Sequence, residues 1–157
     1  MNKTTVKTEK GFTIIEVVLV LAIAGLIFLM VFIALPALQR GQRDTQRRDD
    51  VSTFISQLTS YSTNNKGQIP DNATELTTFK DSYLKWKADA TGEFNDPKTG
   101  LGYTISYGIS QPTTDGAMQY SAGATCDGET IKSSSNAREA AVIVKLEGSG
   151  FFCQVNK

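Results

Sequence analysis

One long apolar segment near the start of the chain predicts a membrane-spanning helix. Residues 17–38 contain no polar side chain, and as an α-helix this segment would be about 33 Å long. The hydrocarbon core of a bilayer is about 30 Å thick, so the segment is long enough to cross it. A secretory signal peptide has an apolar stretch of only about 7–15 residues, followed by a cleavage site of small residues. Because the sequence around Pro36 provides no such site, the pattern favours a single membrane span over a signal peptide.

Beyond this segment the pattern becomes that of an amphipathic helix over residues 39–64. Its apolar residues recur at helical spacing and would pack on a sheet: Val51, Phe54, Ile55, Leu58 and Tyr61. Turn-forming residues and Pro70 follow and predict the end of the helix. Near its start, the pairs Arg40/Asp44 and Asp44/Arg48 are spaced four residues apart, and we expect them to lie on a solvated, charged stem.

The rest of the chain predicts one short helix and a small sheet. Residues 76–86 are expected to form the helix. Residues 103–109 alternate between apolar and polar positions, as a half-buried strand does, and three further segments are rich in strand-forming residues: 118–122, 141–146 and 151–153. The intervening turns are rich in Gly, Asp, Ser and Thr, which suits an antiparallel sheet. The sequence therefore predicts an α+β fold in which a long N-terminal helix packs on a small antiparallel sheet.

Composition narrows the chemistry that the chain can perform. It has 16 basic and 16 acidic side chains and no histidine, which excludes histidine bases, Ser-His and Cys-His pairs and the commonest zinc ligands. Acidic residues such as Asp96, Asp115 and Asp127 are scattered through predicted turns, where we expect them to be solvated. We predict no catalytic residue, no metal site and no cofactor.

From Asp49 onward, 13 acidic side chains outnumber 9 basic ones, so the head alone is not expected to bind nucleic acid.

Glu16 is a carboxylate at the edge of the apolar segment. An acid at the centre of a bilayer costs about 2.5–3.5 kcal/mol, and less near the interface. Glu16 could therefore be an ordinary glutamate at headgroup level, or an assembly residue that needs a positive partner, since an unpaired carboxylate in an apolar medium is costly. The residues alone leave both interpretations open.

Cys126 and Cys153 are the only cysteines of the chain. In a domain exported from the reducing cytosol, the simplest interpretation of such a pair is a disulfide, which would stabilise the fold by about 3.5 kcal/mol on the chain-entropy model. Two buried free thiols are the alternative. A metal site is less favoured, because two cysteines without histidine lack the spacing of a ligand set.

Residues 10–16, Lys-Gly-Phe-Thr-Ile-Ile-Glu, followed by the apolar segment, resemble the class III signal of type IV prepilins and pseudopilins. The resemblance implies that a membrane peptidase cleaves after Gly11 and N-methylates the new terminal residue, Phe12. It implies that Glu16 pairs with the terminal amine of a neighbouring subunit during assembly. It also implies a cytoplasmic leader and an external domain, an orientation that the basic residues flanking the span do not decide.

The resemblance also has implications for the helix and the head. Gly25 and Pro36 fall where the helix of this family often melts in assembled filaments, and both residue types weaken helices. The Asp-Pro-Lys-Thr-Gly turn at residues 96–100 resembles one that many pilins and pseudopilins carry before the first strand. A disulfide between Cys126 and Cys153 would resemble the C-terminal disulfide loop of many type IV pilins.

The resemblance therefore implies a structural subunit, most like a major type IV pilin, rather than an enzyme. The implied segments are a leader (1–11), a transmembrane and filament-core helix (12–38), its amphipathic continuation (39–66) and a globular α+β head (67–157). Expected partners are further copies in a helical homopolymer, the prepilin peptidase and N-methyltransferase, an inner-membrane assembly platform, and membrane lipid before assembly. The expected locations are the cytoplasmic membrane and then an extracellular filament used for adhesion, motility or DNA uptake.

Alternatives to a major pilin are a pseudopilin of a type II-like secretion system and a minor pilin. A membrane-anchored enzyme or binding protein that never assembles is a more distant alternative. Cleavage after Gly11 is expected of the pilins and pseudopilins, which assemble, and not of an anchored protein that never assembles.

Overall fold

The computed structural model describes residues 11–156, so residues 1–10 of the expected leader lie outside the described part of the chain. The chain divides into two compact units, Met1–Leu38 and Gln39–Lys157. Eight elements form the described fold: α1 (Ile14–Asn64), α2 (Ala73–Tyr83), β1 (Ile105–Tyr107), β2 (Met118–Ala122), β3 (Ala124–Asp127), β4 (Thr130–Ser133), β5 (Ala140–Lys145) and β6 (Phe151–Val155). This arrangement confirms the predicted α+β class.

In the first unit, α1 exposes its apolar side chains. Phe12, just before the helix, is 91% exposed, and among the side chains of residues 11–38 only Ala24 is partly buried. The helix is long and apolar enough to cross a membrane. It continues without interruption through Gly25 and Pro36. Melting at these positions was expected of assembled filaments and stays a prediction.

In the second unit, α1 and α2 cover one face of a four-stranded sheet with the order β1-β2-β5-β6. The predicted apolar stripe of α1 forms the centre of this core: Val51, Phe54, Ile55 and Leu58 are buried, and Tyr61 is partly buried. Phe54 contacts the rings of Phe79 and Tyr120, with ring centroids 5.1 and 5.6 Å away. Such aromatic contacts contribute about 0.5–1.5 kcal/mol each beyond the area that they bury.

The second helix begins three residues before the predicted start at Leu76. Asn72 caps it, because its side-chain oxygen accepts hydrogen bonds from the backbone N–H groups of Thr74 and Glu75 at 3.0 and 2.9 Å. This is the usual role of Asn at the N-cap. The helix ends at Tyr83, short of the predicted end at Trp86.

The sheet differs from the prediction in its first strand. Only Ile105–Tyr107 pairs, and it runs parallel to β2, whereas β2, β5 and β6 pair antiparallel as expected. Ile109, the last apolar residue of the predicted strand, is 53% exposed. Gly108 ends the strand with a φ of 141°, a backbone conformation that favours glycine.

The hairpin β3–β4 was not predicted, and it covers the other face of the sheet. Its two-residue turn begins at Gly128, whose φ is +59°. Ala124 and Ile131 of the hairpin pack on Ala141 and Ile143 of β5. Since the neighbouring residues Ala140, Val142 and Val144 face the helices, β5 is buried on both faces, which explains its continuous apolar sequence.

Candidate functional site

The N-terminus of α1 is built around Thr13 and Glu16. The backbone N–H and the hydroxyl of Thr13 donate to Oε2 of Glu16 at 2.8 and 2.7 Å. The backbone N–H of Glu16 donates to the Thr13 hydroxyl at 3.4 Å. These reciprocal bonds form a capping box, in which Thr13 is the N-cap and Glu16 is the third helical residue. The Thr-Ile-Ile-Glu spacing at residues 13–16 is the sequence pattern from which this capping box could have been predicted.

The bond between Gly11 and Phe12 lies outside the helix. Residues 11–13 are exposed and have no regular secondary structure, and among the described residues no atom beyond the chain neighbours of Gly11 lies within 4 Å of the position that its β-carbon would take. The ring of Phe12 and the side chain of Glu16 line a shallow groove of about 360 Å³ with Val17, Val20 and Leu21. The Gly11–Phe12 bond, where cleavage is expected, is therefore accessible in the described part of the chain.

The two cysteines lie together in the head. Cys126 of β3 and Cys153 of β6 form a disulfide, with their Cα atoms 5.8 Å apart, which is within the usual range. The bond ties the hairpin to the last strand of the four-stranded sheet. It borders the second apolar cluster, where Phe151 and Val155 are also partly buried.

The charged stem of α1 differs from the solvated helix that was expected. Arg47 is fully buried. Its Nε donates to Oδ1 of Asp96 at 2.8 Å, and its Nη1 donates to Oδ1 of Asp44 at 3.1 Å. Asp44 thus pairs three residues ahead with Arg47, rather than with Arg40 or Arg48. The expected pairs do not form because the head supplies partners that the isolated helix lacks.

The turn between β5 and β6 binds the same part of the helix. Asp44 accepts hydrogen bonds from the backbone N–H groups of Glu147 and Gly148, both at 2.8 Å. Glu147 in turn accepts two hydrogen bonds from the guanidinium of Arg43 at 2.7 and 2.8 Å. This bidentate pair lowers the pKa of Glu147 below its ordinary value. We call Arg43, Asp44, Arg47, Asp96 and Glu147 the stem cluster.

Asp50 and Tyr103 make a further polar contact beside the stem cluster. The Tyr103 hydroxyl donates to Oδ2 of Asp50 at 2.5 Å. Burial raises the pKa of Asp50, although this hydrogen bond opposes the shift. Burial and the neighbouring carboxylate together raise the pKa of Tyr103, so Tyr103 stays neutral and acts as a donor.

The three acidic residues that were expected to be solvated in turns are paired with cations. Asp96 is bound to Arg47 and is buried, contrary to the expectation of a solvated turn. Asp115 lies 3.5 Å from the ammonium of Lys98, and Asp127 pairs with Lys132. Within residues 11–156, no group of three or more potential metal-ligating side chains occurs. The positions of these three acidic side chains suit packing and ion pairing.

Comparison with known proteins identifies the N-terminal segment. Residues 6–32 match the family model of the prokaryotic N-terminal methylation motif. No curated protein and no solved structure matches the chain. The α+β fold, with its long N-terminal helix and small sheet, is consistent with the fold of pilins. From residue 6 to residue 32, the chain thus carries the prokaryotic N-terminal methylation motif, the class III signal of type IV pilins.

Proposed function

We propose that this chain is a structural subunit, the major pilin, of a type IV pilus. In this proposal a prepilin peptidase cleaves after Gly11 and N-methylates Phe12, and the processed chain polymerises through α1 into an extracellular filament for adhesion, motility or DNA uptake. The observation that carries the proposal is the methylation motif at residues 6–32, which continues directly into a helix whose apolar side chains are exposed over residues 14–38.

The exposed apolar surface supports storage in a membrane followed by assembly. A helix can cross a bilayer because it satisfies all of its backbone hydrogen bonds internally. When copies assemble, the same side chains would exchange contacts with lipid for contacts with neighbouring helices. The proposed segments are those expected from the sequence: the leader (1–11), the core helix (12–38), its continuation (39–66) and the head (67–157). The proposed partners are the peptidase, an inner-membrane assembly platform and further copies of the chain.

Glu16 is proposed to pair with the terminal amine of Phe12 in an adjacent subunit. The capping box uses only Oε2 of the carboxylate, and within the described residues no hydrogen bond reaches Oε1. Glu16 could therefore cap its own helix and bind a neighbouring amine at the same time. In a dry filament core, such a pair would neutralise two charges that are costly when left alone.

Two substitutions separate the capping role of Glu16 from the proposed charge pairing. Glu16→Gln keeps a capping-box side chain, because glutamine serves at this position as glutamate does, but it removes the negative charge. Glu16→Ala removes both. We expect both variants to insert into the membrane normally and to form few or no filaments, as counted by electron microscopy against membrane-fraction immunoblots. Normal filament numbers in Glu16→Gln would show that the charge is not needed.

A further inference from the structure

The charges in and around the stem cluster are nearly balanced in number but not in exposure. The group contains five cations and four carboxylates: Arg40, Arg43, Arg47, Lys98, Lys145, Asp44, Asp96, Asp115 and Glu147. The side chains of Glu147 and Asp44 are only 9% and 14% exposed, and Asp96 is buried. Three of the four carboxylates are therefore turned towards the protein.

Four of the five cations face outward instead. The side chains of Arg40 and Lys98 are 59% and 45% exposed, and those of Arg43 and Lys145 are partly exposed. We call Arg40, Arg43, Lys98 and Lys145 the basic rim. Asp115 is the one carboxylate of the group that is exposed to a similar extent. The surface of the group is therefore mainly positive, although its charges nearly cancel in number.

The basic rim begins where the apolar segment ends. Arg40 and Arg43 follow Leu38, the last residue of that segment, by two and five residues, which is about 3 and 8 Å along a helix. Lys98 lies beside them, because its ammonium is 3.7 Å from the Glu147 carboxylate that Arg43 also binds. The headgroup layer on each side of a bilayer is about 5–8 Å thick. When the apolar segment spans a membrane, the basic rim therefore starts at the level of the headgroups.

Asp115 holds the two lysines of the basic rim side by side. Its carboxylate lies 3.5 Å from the ammonium of Lys98 and 3.8 Å from that of Lys145. Lys145 also donates to the backbone carbonyl of Thr113 at 2.6 Å. Asp115 carries one negative charge against two positive ones, and Glu147 is already bound to an arginine. The two lysines therefore keep a net positive charge and N–H groups that an anion can bind.

We propose that the basic rim binds the phosphate groups of anionic phospholipids in the membrane that the apolar segment crosses. Phosphate oxygens accept hydrogen bonds from ammonium and guanidinium groups, and clusters of basic residues beside a span attract anionic lipids. This contact adds the two lysines of the head to the membrane anchor of the stored subunit. The proposal requires the membrane span and not filament assembly, so its failure would leave the proposed pilin function standing.

The test counts the lipids that the full chain retains. The chain is purified in neutral detergent micelles that contain phosphatidylglycerol and phosphatidylcholine in equal amounts, and native mass spectrometry counts the bound lipids. Lys98→Gln/Lys145→Gln removes two charges of the basic rim, and Lys98→Arg/Lys145→Arg keeps them. Lys66→Gln/Arg138→Gln is the matched control. These two exposed cations lie together just after α1, and α1 ends about 39 Å past Leu38.

We expect the wild type to retain phosphatidylglycerol about fivefold or more over phosphatidylcholine, since each basic residue near an anionic lipid contributes a preference of about fivefold. The ratio should fall to about twofold or less in Lys98→Gln/Lys145→Gln. It should stay at the wild-type value in the arginine variant and in the control, and circular dichroism should be the same for all four proteins.

Two results would overturn the proposal. The first is equal retention of the two lipids by the wild type. The second is a wild-type ratio in Lys98→Gln/Lys145→Gln, because Arg40 and Arg43 would then account for the preference without the head. In either case, the outward cations of the head would be left for an acidic protein partner.

Discussion

Arg47 connects α1 to two loops of the head through its buried guanidinium. It bonds to Asp96 in the loop before β1, and its Nη1 lies 3.8 Å from Glu147 in the turn after β5. Within the described residues, its Nη2 has no hydrogen-bond partner. Breaking a buried ion pair by removing one partner typically costs about 3–5 kcal/mol, because the other charge is left buried and unpaired.

We predict that Arg47→Met destabilises the head by about 3–5 kcal/mol, as measured by chemical unfolding of the full chain in micelles. The double variant Arg47→Met/Asp96→Asn should recover part of this loss, because the buried Asp96 then no longer carries an unpaired charge. Arg138→Met removes an exposed arginine and should change stability by less than about 0.5 kcal/mol. Wild-type stability in Arg47→Met would contradict the role given to this residue.

Glu147 and Asp50 make opposite contributions to the dependence of stability on pH. The pKa of Glu147 is lowered by the Arg43 hydrogen bonds, so its contribution is present above the ordinary pKa of 4.5 and is lost as the pH falls through the lowered value. The pKa of Asp50 is raised by burial. Its contribution is therefore present below the ordinary pKa of 3.8 and is lost as the pH rises through the raised value.

We predict that the free energy of unfolding of Glu147→Gln differs from that of the wild type more at neutral pH than in acid. The wild type loses its carboxylate contribution on protonation, whereas glutamine does not titrate. Unfolding titrations at pH 7 and near pH 3 measure this difference. The exposed Glu129 gives the control variant Glu129→Gln. A difference that is the same at both pH values would show that the Arg43–Glu147 pair contributes nothing to the pH dependence.

Sequence reasoning found the stem cluster only in part, for a physical reason. The spacing of charges along a helix predicts partners on the same helix, and it placed Asp44 with Arg40 and Arg48. Asp44 instead pairs with Arg47. Arg47 and Arg43 in turn pair with Asp96 and Glu147, which come from loops about 50 and 100 residues further along the chain. No local pattern encodes such contacts.

At the scale of elements, prediction succeeded where one face of an element is buried. The stripe of α1 was found because its burial follows the helical period. The hairpin β3–β4 was missed because its strands are short and carry few apolar residues, namely Ala124, Cys126 and Ile131. The parallel pairing of β1 was missed because turn composition alone favoured an antiparallel sheet.

The disulfide between Cys126 and Cys153 holds the hairpin to β6. We predict that the double variant Cys126→Ala/Cys153→Ala loses about 3.5 kcal/mol on the chain-entropy model of loop closure. The loss should be localised, so that amides of the hairpin exchange faster while those of β5, buried on both faces, stay protected. Hydrogen exchange followed by mass spectrometry measures both regions. Uniform loss of protection across the sheet would contradict a local role for the bond.

At the scale of the whole molecule, the two units of the chain have different tasks in the proposed function. The first unit contains an apolar helix whose side chains are exposed. The second unit has its own core and a disulfide. A run of apolar residues is a local pattern, so the sequence alone predicts where such a division falls, whereas the partners of the filament lie on other chains.

The most direct measurement of the proposed function is the intact mass and N-terminal sequence of protein sheared from the cell surface. The proposal predicts a chain that begins at N-methylated Phe12, with Cys126 and Cys153 oxidised. A protein that begins at Met1 and occurs only in membranes would contradict processing at Gly11 and assembly, and the chain would then be a membrane-anchored protein.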